Sequence, residues 1–380
     1  YTGVALEPWG PEKVDTGLGG SETAVLQLTS RWAACNGDGG VGGDDGTNGG
    51  VHVSNDGGGE REVAVYLRTS CGARTWRGVQ LIETADFNPA DSFDTLIVWR
   101  SLEVLDEPID AMRVLLDLHD MPRVHEMTPR RLARVSRLML KSEFQKGQLP
   151  ARAAHIACSV IPNGVDEQLV ARVLAGYPRA TARSGGGDGA ADAVQGATAS
   201  GPKRESSCIT AEPAAEAVAR PLTLLYTSSY DRGLEHMLRH GWPRILTALP
   251  LATLHVYYGW STHEALYQTS PWREQMRALI ASFGTSVVDH GRVGQPELLE
   301  AKARAPLLYY ITDFPEVDCI AVREAAMLGC VPLTSTFAVF GDVSKDYCVR
   351  VPGEPRDPAT QHAAADVAIQ LLRAYEATGE

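Results

Sequence analysis

The stretch TDFPEVDCIAVREAAMLGC, residues 312–330, decides how this chain is read. Asp313, Glu316 and Asp318 stand in front of an apolar helical pattern, and Glu324 sits inside it. The strand-like run PLLYYI (306–311) precedes this stretch and VPLTS (331–335) follows it. The order predicts a strand, an acidic loop, a helix beginning near Asp318 and another strand, the unit from which parallel sheets are built. First-turn N–H groups of such a helix lack intrahelical partners, and with the helix dipole they favour an anion at the carboxyl end of the sheet. Eight residues of helical rise put an upper limit of about 12 Å on the separation of the two glutamates. Carboxylates so placed can each accept from adjacent hydroxyls, one at either end of a diphosphate-linked sugar. The plainer alternative leaves Glu324 on the helix surface beside Arg323, and Glu316 as a solvated loop acid.

Working outward, the ordered remainder alternates strands with helices. REVAVYL (61–67), DTLIVWR (94–100), RVLLDLH (113–119) and RLMLKS (137–142) read as strands in the first half, with SETAVLQLTSRWAA (21–34) as a helix. In the second half LTLLYTS (222–228), ATLHVYYG (252–259) and SVVDHG (286–291) join the two strands above, with helices at 233–242, 296–305 and 319–328. Residues 36–60 hold eleven glycines in 25 positions, and 180–219 is rich in Ala, Gly and Ser. Such compositions bury too little apolar surface to offset their ordering entropy, so both read as mobile insertions. The fold class is therefore α/β, with two Rossmann-like parallel-sheet domains facing across a cleft: residues 1–170, a linker at 171–220, and residues 221–380. Ligands are expected at the carboxyl ends of the strands.

Composition narrows the function. A net charge of −12 and a pI near 5.4 argue against a nucleic-acid partner or an anionic membrane surface. Seven cysteines without a C-x-x-C pair give neither a disulfide framework nor a zinc pattern, and a reducing, cytoplasmic setting is the simpler expectation. No apolar run reaches the ~18 residues of a membrane span. The chain begins at Tyr1, so a leader, an anchor or a first core strand ahead of it is left open, and with it membrane association. No G-x-G-x-x-G follows a strand and opens a helix, which disfavours a dinucleotide-dependent oxidoreductase.

Six segments resemble, in order, the large retaining glycosyltransferase family with the GT-B fold, family four of the sugar-transferase classification. GLGGSETAVLQL (17–28) is similar to its N-terminal glycine loop and helix. LLDLHD (115–120), KSEFQK (141–146) and VIPNGVD (160–166) fall where that family has its histidine strand, the next strand end and a P-N-G-[VI]-D turn. YDRGLEHML (230–238) is similar to the segment whose basic residue meets the diphosphate, and GRV (291–293) to the base-contacting loop. The acidic stretch Glu316-x7-Glu324 looks like the donor-site signature. The family usually carries two cations on the diphosphate segment; here Arg232 alone is visible.

The resemblance implies transfer of a hexosyl unit from a nucleotide-diphosphate sugar, the co-substrate, to a carbohydrate or lipid-linked acceptor hydroxyl, with retention, no further cofactor and no obligatory metal. Glu316 would bind hydroxyls of the transferred sugar and Glu324 the ribose. The backbone at Cys319 and Ile320 would face the phosphates, with Arg232 on the diphosphate. Gly19 and Gly20 would let the backbone approach the donor, and His119 would lie beside the reacting sugar. Asn163 and Arg292 are assigned to the cleft-facing turn and to the base. Plainer roles compete: a structural histidine at 119, a surface Arg232 at a helix start, and Gly19–Gly20 as a turn before a Ser21 N-cap. A metal held by Asp117, His119 and Asp120 is disfavoured, since D-x-H-D on a strand is expected not to converge. A nucleotide-sugar epimerase and a catalytically inactive nucleotide-sugar-binding protein remain alternatives.

Overall fold

The computed structural model of the chain describes residues 1–3, 7–35, 62–69, 72–177, 221–267, 269–342 and 344–378. The glycine-rich insertion at 36–60 and residues 178–220 of the linker lie outside the described residues. The strands are β1 (Val63–Leu67), β2 (Arg74–Trp76), β3 (Val79–Glu83), β4 (Ser92–Trp99), β5 (Asp110–Asp117), β6 (Arg137–Leu140) and β7 (Cys158–Val160) in the first half. The second half holds β8 (Thr223–Tyr226), β9 (Thr253–Tyr257), β10 (Val287–Gly291), β11 (Leu307–Tyr310), β12 (Val331–Ser335) and β13 (Val349–Val351).

In the first half β4, β5, β6 and β7 form a parallel sheet in that order. A smaller sheet runs β1-β3-β2, with β2 antiparallel; the sequence reading missed β2, β3 and β7, which are three to five residues long. Residues 1 and 2 join the two sheets. The Thr2 N–H donates to Tyr66 O at 3.0 Å, Tyr1 N donates to Ile97 O at 2.8 Å, and Trp99 N–H donates to Tyr1 O at 2.9 Å. Tyr1 and Thr2 thus lie between β1 and β4.

The second half is one parallel sheet ordered β10-β9-β8-β11-β12-β13. Strand order reverses between β8 and β11, which opens a crevice at their carboxyl ends. Every residue of β11 is buried, as a central parallel strand covered on both faces requires. The helix read at 233–242 is a turn at Leu234–His236, a π-helical stretch Met237–Gly241 and a helix Trp242–Ala248. Pro243 lacks an N–H to complete the regular ladder, and a widened turn before it relieves the ring against the preceding carbonyls. The last helix, Pro358–Thr378, places Ala364, Ala365, Ala368, Ile369 and Leu372 in the core of this second sheet.

Contacts at several places bring the halves together, two of them at the linker helix and the glycine loop. The helix Glu167–Gly176 straddles the boundary drawn at residue 170 and packs Val170 and Val173 on Leu299, Ala303 and Leu328. The loop leading into the helix Gly20–Ala34 meets the turn after β10: Gln295 N–H donates to Val14 O at 3.3 Å, and Gly294 lies against the Asp15 backbone. No helix among the described residues is long and apolar enough to cross a membrane.

Gly233 fixes the geometry at the strand-order reversal. Its φ is +112°, and a Cβ there would sit 2.5 Å from the Ile311 carbonyl oxygen. Gly233→Ala is expected to cost about 1–3 kcal/mol from the backbone region alone. Gly164→Ala, which meets nothing within 4 Å, should stay within about 0.5 kcal/mol of the parent in thermal unfolding.

Candidate functional site

The crevice between β8 and β11 gathers the charged residues read from the sequence. Arg232 leaves the loop after β8 and Glu316 the loop after β11, and they meet with Arg232 Nη1 3.0 Å from Glu316 Oε1. Tyr310, the last residue of β11, donates its hydroxyl to the same carboxylate oxygen at 2.6 Å and lies 3.0 Å from Ser228 Oγ. Glu316 is only 8% exposed, so it is not the solvated loop acid of the plainer alternative. Arg232 is partly exposed, with its guanidinium stacked over the Phe314 ring at 3.6 Å. Burial is the largest influence on the Arg232 pKa and lowers it, but Glu316, Tyr310, Tyr258 and Asp231 together outweigh it and the net shift is upward, so the guanidinium stays charged.

Glu324 is 5% exposed and faces inward from the helix Ile320–Met327. Its Oε2 accepts from Lys302 Nζ at 2.6 Å and its Oε1 from Gln295 Nε2 at 3.1 Å. Gln295 Oε1 in turn accepts from Gln27 Nε2 at 3.2 Å, so a polar chain runs from the first-half helix Gly20–Ala34 to the buried Lys302. A cavity of about 120 Å³ lies here, lined by Gly19, Gly20, Gln27, Arg292, Ile320 and Glu324 among others.

The remaining nominees divide between this cavity and its frame. Cys319 is the N-cap of the Glu324 helix, one residue later than the predicted start, and burial pushes its thiol well above the usual range. The Gly20–Ala34 helix is capped by Gly19 rather than Ser21, whose hydroxyl accepts from Arg100 Nη2 at 3.0 Å. A Cβ on Gly20 would come within 3.7 Å of Ile320 Cδ1, which places the glycine loop against the start of the helix Ile320–Met327. Arg292 Nε donates to the Tyr258 carbonyl at 3.4 Å, and its aliphatic stem packs on Gly17. Asn163 acts through its backbone: its N–H donates to Asp318 Oδ2 at 2.6 Å, and its carbonyl accepts from Arg323, which also pairs with Asp318. Gly164 and Val165, beside it, line the cavity.

His119 stands apart, at the carboxyl end of β5. Its Nε2 lies 3.1 Å from Asp117 Oδ2, and Lys141 Nζ lies 2.8 Å from Asp117 Oδ1. All three are buried, at 7%, 5% and 4% exposure. Of the D-x-H-D run, which was expected not to converge on a metal, Asp117 and His119 do meet, because side chains two apart on a strand share a face, while Asp120 pairs with Arg100. Burial pushes Asp117 upward, but the His119 and Lys141 contacts outweigh it and hold the carboxyl below its usual range. Burial lowers the His119 pKa against the pull of Asp117. Gln145 ties the loop in place, donating from Nε2 to Leu118 O at 2.8 Å and Asp120 O at 2.7 Å. No group of three His, Cys, Asp or Glu side chains among the described residues is arranged to hold a metal.

Sequence reasoning missed Tyr310, Gln295, Lys302, Asp117 and Lys141 as partners. Lys302 left a signal, since it falls three residues after Leu299 on the buried stripe of the helix Gln295–Arg304. Tyr310 left none, because its hydroxyl matters only once β8 and β11 are neighbours.

No protein-family model matches the chain, and no curated protein matches it. Solved structures do. A sucrose-phosphate synthase from Thermosynechococcus elongatus is similar over 99% of this chain and 94% of its own, at 14% identity and a TM-score of 0.56. An α,α-trehalose-phosphate synthase (UDP-forming) from Burkholderia xenovorans, in complex with glucose-6-phosphate, is 13% identical over 77% of this chain and 70% of its own, at TM-score 0.49. The Anabaena protein HepE, in complex with UDP and glucose, is 13% identical over 75% and 71%, at TM-score 0.46. Of these three, the first carries an argument, and the argument is about fold: the chain has the two-domain GT-B architecture.

Lys302 is fully buried beneath Glu324, so removing it strands a carboxylate. Lys302→Met is expected to cost about 3–5 kcal/mol, and Lys302→Met with Glu324→Leu to recover most of that. Urea unfolding of the two variants checks the pair.

Proposed function

We propose that the chain is a retaining glycosyltransferase that moves a hexosyl unit from a nucleotide-diphosphate sugar to an acceptor hydroxyl. The observation that carries this is the placement of two buried carboxylates, Glu316 and Glu324, on either side of a helix N-terminus at the strand-order reversal. Such a site offers acceptors to two sets of hydroxyls and N–H donors to the phosphates between them. Glu316 binds the transferred sugar, Glu324 the ribose, and Arg232 with the N–H groups at Cys319 and Ile320 the diphosphate. As the anomeric C–O bond breaks, negative charge grows on the diphosphate, where a fixed guanidinium lowers the barrier. The acceptor oxygen bonds to the anomeric carbon and its proton passes to the departing phosphate oxygen. Attack on the same face needs no carboxylate nucleophile, and neither glutamate is assigned that role.

In the free protein Arg232 and Glu316 neutralise each other, and donor binding exchanges that pair for phosphate and sugar contacts. A second reading draws on the same observation: a chain with Arg232 as its one assigned diphosphate cation, locked to Glu316, binds nucleotide sugars without transferring them. The test is calorimetric and thermal-shift binding of UDP-, GDP- and ADP-sugars, with and without magnesium, followed by assay of product. A ligand that favours the native state raises the melting temperature by mass action. Glu316→Ala is expected to lower transfer about 10²-fold or more while leaving nucleotide binding in place. Glu324→Gln should weaken nucleotide affinity by about 10- to 100-fold, the loss of hydrogen bonds to a charged acceptor. Binding without turnover in the parent chain selects the inactive reading, and no binding by a folded chain removes both.

A further inference from the structure

A second cluster of basic side chains lies outside the crevice, between residues 235–248 and the last helix, Pro358–Thr378. A pocket of about 510 Å³ opens there, lined by Arg239, His240, Arg244, His362 and Asp366 among others. None of these residues lines the cavity beside Glu324. The π-helical stretch Met237–Gly241 touches the last helix at Gly241, where a Cβ would come 3.0 Å from the Tyr309 hydroxyl and 3.5 Å from the Gln361 carbonyl. His240 and His362 follow from that approach, being the chain neighbours of Gly241 and Gln361. Their rings stand edge to face with centroids 6.4 Å apart. The two arginines are held by carboxylates without being used up. Arg244 forks onto Asp366, Nε to Oδ1 at 2.6 Å and Nη2 to Oδ2 at 2.9 Å, which leaves Nη1 outside the pair. Arg239 Nε donates to Glu235 Oε1 at 2.8 Å and keeps both terminal nitrogens, while Trp272 Nε1 donates to the other Glu235 oxygen at 2.7 Å. A guanidinium presents several N–H donors in fixed geometry, so each fork is oriented by one partner and open to another. Burial lowers the His240 pKa, and His236, His362 and Arg239 lower it further. Groups crowded in this way oppose one another's protonation until an anion enters.

We infer that this pocket binds a small phosphate dianion, free or carried as a phosphate monoester, through the open Nη groups of Arg239 and Arg244 and the protonated rings of His240 and His362. The site is separate from the crevice and stands whether or not the chain transfers sugar. Phosphate oxygens suit forked, charged donors that converge from different elements. The carboxylates near the anion, Glu235 and Asp366, are each engaged by an arginine and hold the forks in place. In the free protein His240 sheds its proton below the usual histidine range, and a dianion favours the charged ring. Binding therefore takes up protons and tightens as pH falls.

The experiment is titration calorimetry of the full chain at low ionic strength, with inorganic phosphate, glycerol phosphate and sulfate as probes, in buffers of different ionisation enthalpy. Sulfate stays a dianion throughout, so its pH dependence reports the protein alone. Its affinity is expected to rise about tenfold or more between about pH 8 and about pH 6, with net proton uptake. His240→Gln combined with His362→Gln is expected to weaken all three probes by about 10- to 100-fold and to abolish the proton uptake. Arg239→Gln, at a side chain 45% exposed, is expected to weaken them about tenfold and tests the pocket independently of the histidines. Arg232→Ala, which removes the cation assigned to the crevice, should leave this binding in place. Tighter binding of inorganic phosphate supports the free ion as the occupant, and tighter binding of glycerol phosphate supports a monoester. The inference is overturned by a parent chain that binds none of the probes, by binding that disappears in Arg232→Ala, or by binding that Arg239→Gln and the histidine variant leave unchanged.

Discussion

The reversal of strand order between β8 and β11 is the constraint on which the candidate site depends. Consecutive parallel strands send their connections to opposite faces on the two sides of that reversal, so the two loops leaving β8 and β11 part and a crevice is left open between them. Arg232 reaches it from one loop and Glu316 from the other. Tyr310 supplies the floor, because a central, fully buried strand ends there in a hydroxyl that needs a partner. Gly233 permits the close approach, since its neighbour across the crevice is the Ile311 carbonyl. A different strand order from the same segments would leave each of these groups a separate problem of buried polarity.

Burial and charge are balanced by the same device at three carboxylates, as they are at Asp318, which meets Arg323. Glu316 is met by Arg232, Glu324 by Lys302, and Asp117 by Lys141. Isolated, each buried carboxylate would carry a desolvation cost of several kcal/mol and be driven to its neutral form. Paired, each has a cation within 3.0 Å of an oxygen. The pairs differ in what a ligand has to do. Glu316 and Arg232 bind each other with the groups assigned to sugar and phosphate, so occupancy and self-neutralisation exclude one another. Lys302 lies beneath Glu324 on Oε2 and leaves Oε1 to Gln295.

Much of the fold was legible because its signal is local. Strands such as PLLYYI and VPLTS are apolar runs of buried parallel sheet, and their alternation with helices sufficed for the α/β class. Short strands were not legible: β2, β7 and β13 span three residues each, too few for a periodicity to register. Within the site, Glu316, Glu324 and Arg232 were readable from spacing and from the order of resembling segments. Their partners were not. Gln27 and Gln295 are 268 positions apart, and Asn163 and Asp318 are 155 apart, so no pattern along the chain links them. The meeting of Asp117 and His119 was overlooked for a different reason, since alternation on a strand brings residues two apart together rather than separating them.

The two ends of the cleft are built to different rules. At one end Asp318 and Arg323 clamp the backbone of the Asn163 turn, and the helix Glu167–Gly176 that follows packs into the second half, so this junction is fixed by charge and by apolar contact together. At the other, the Gly20–Ala34 helix meets the second half through the Gln27–Gln295 hydrogen bond between neutral amides. An amide pair beside a wettable cleft exchanges readily for water, and its net worth is about 1 kcal/mol.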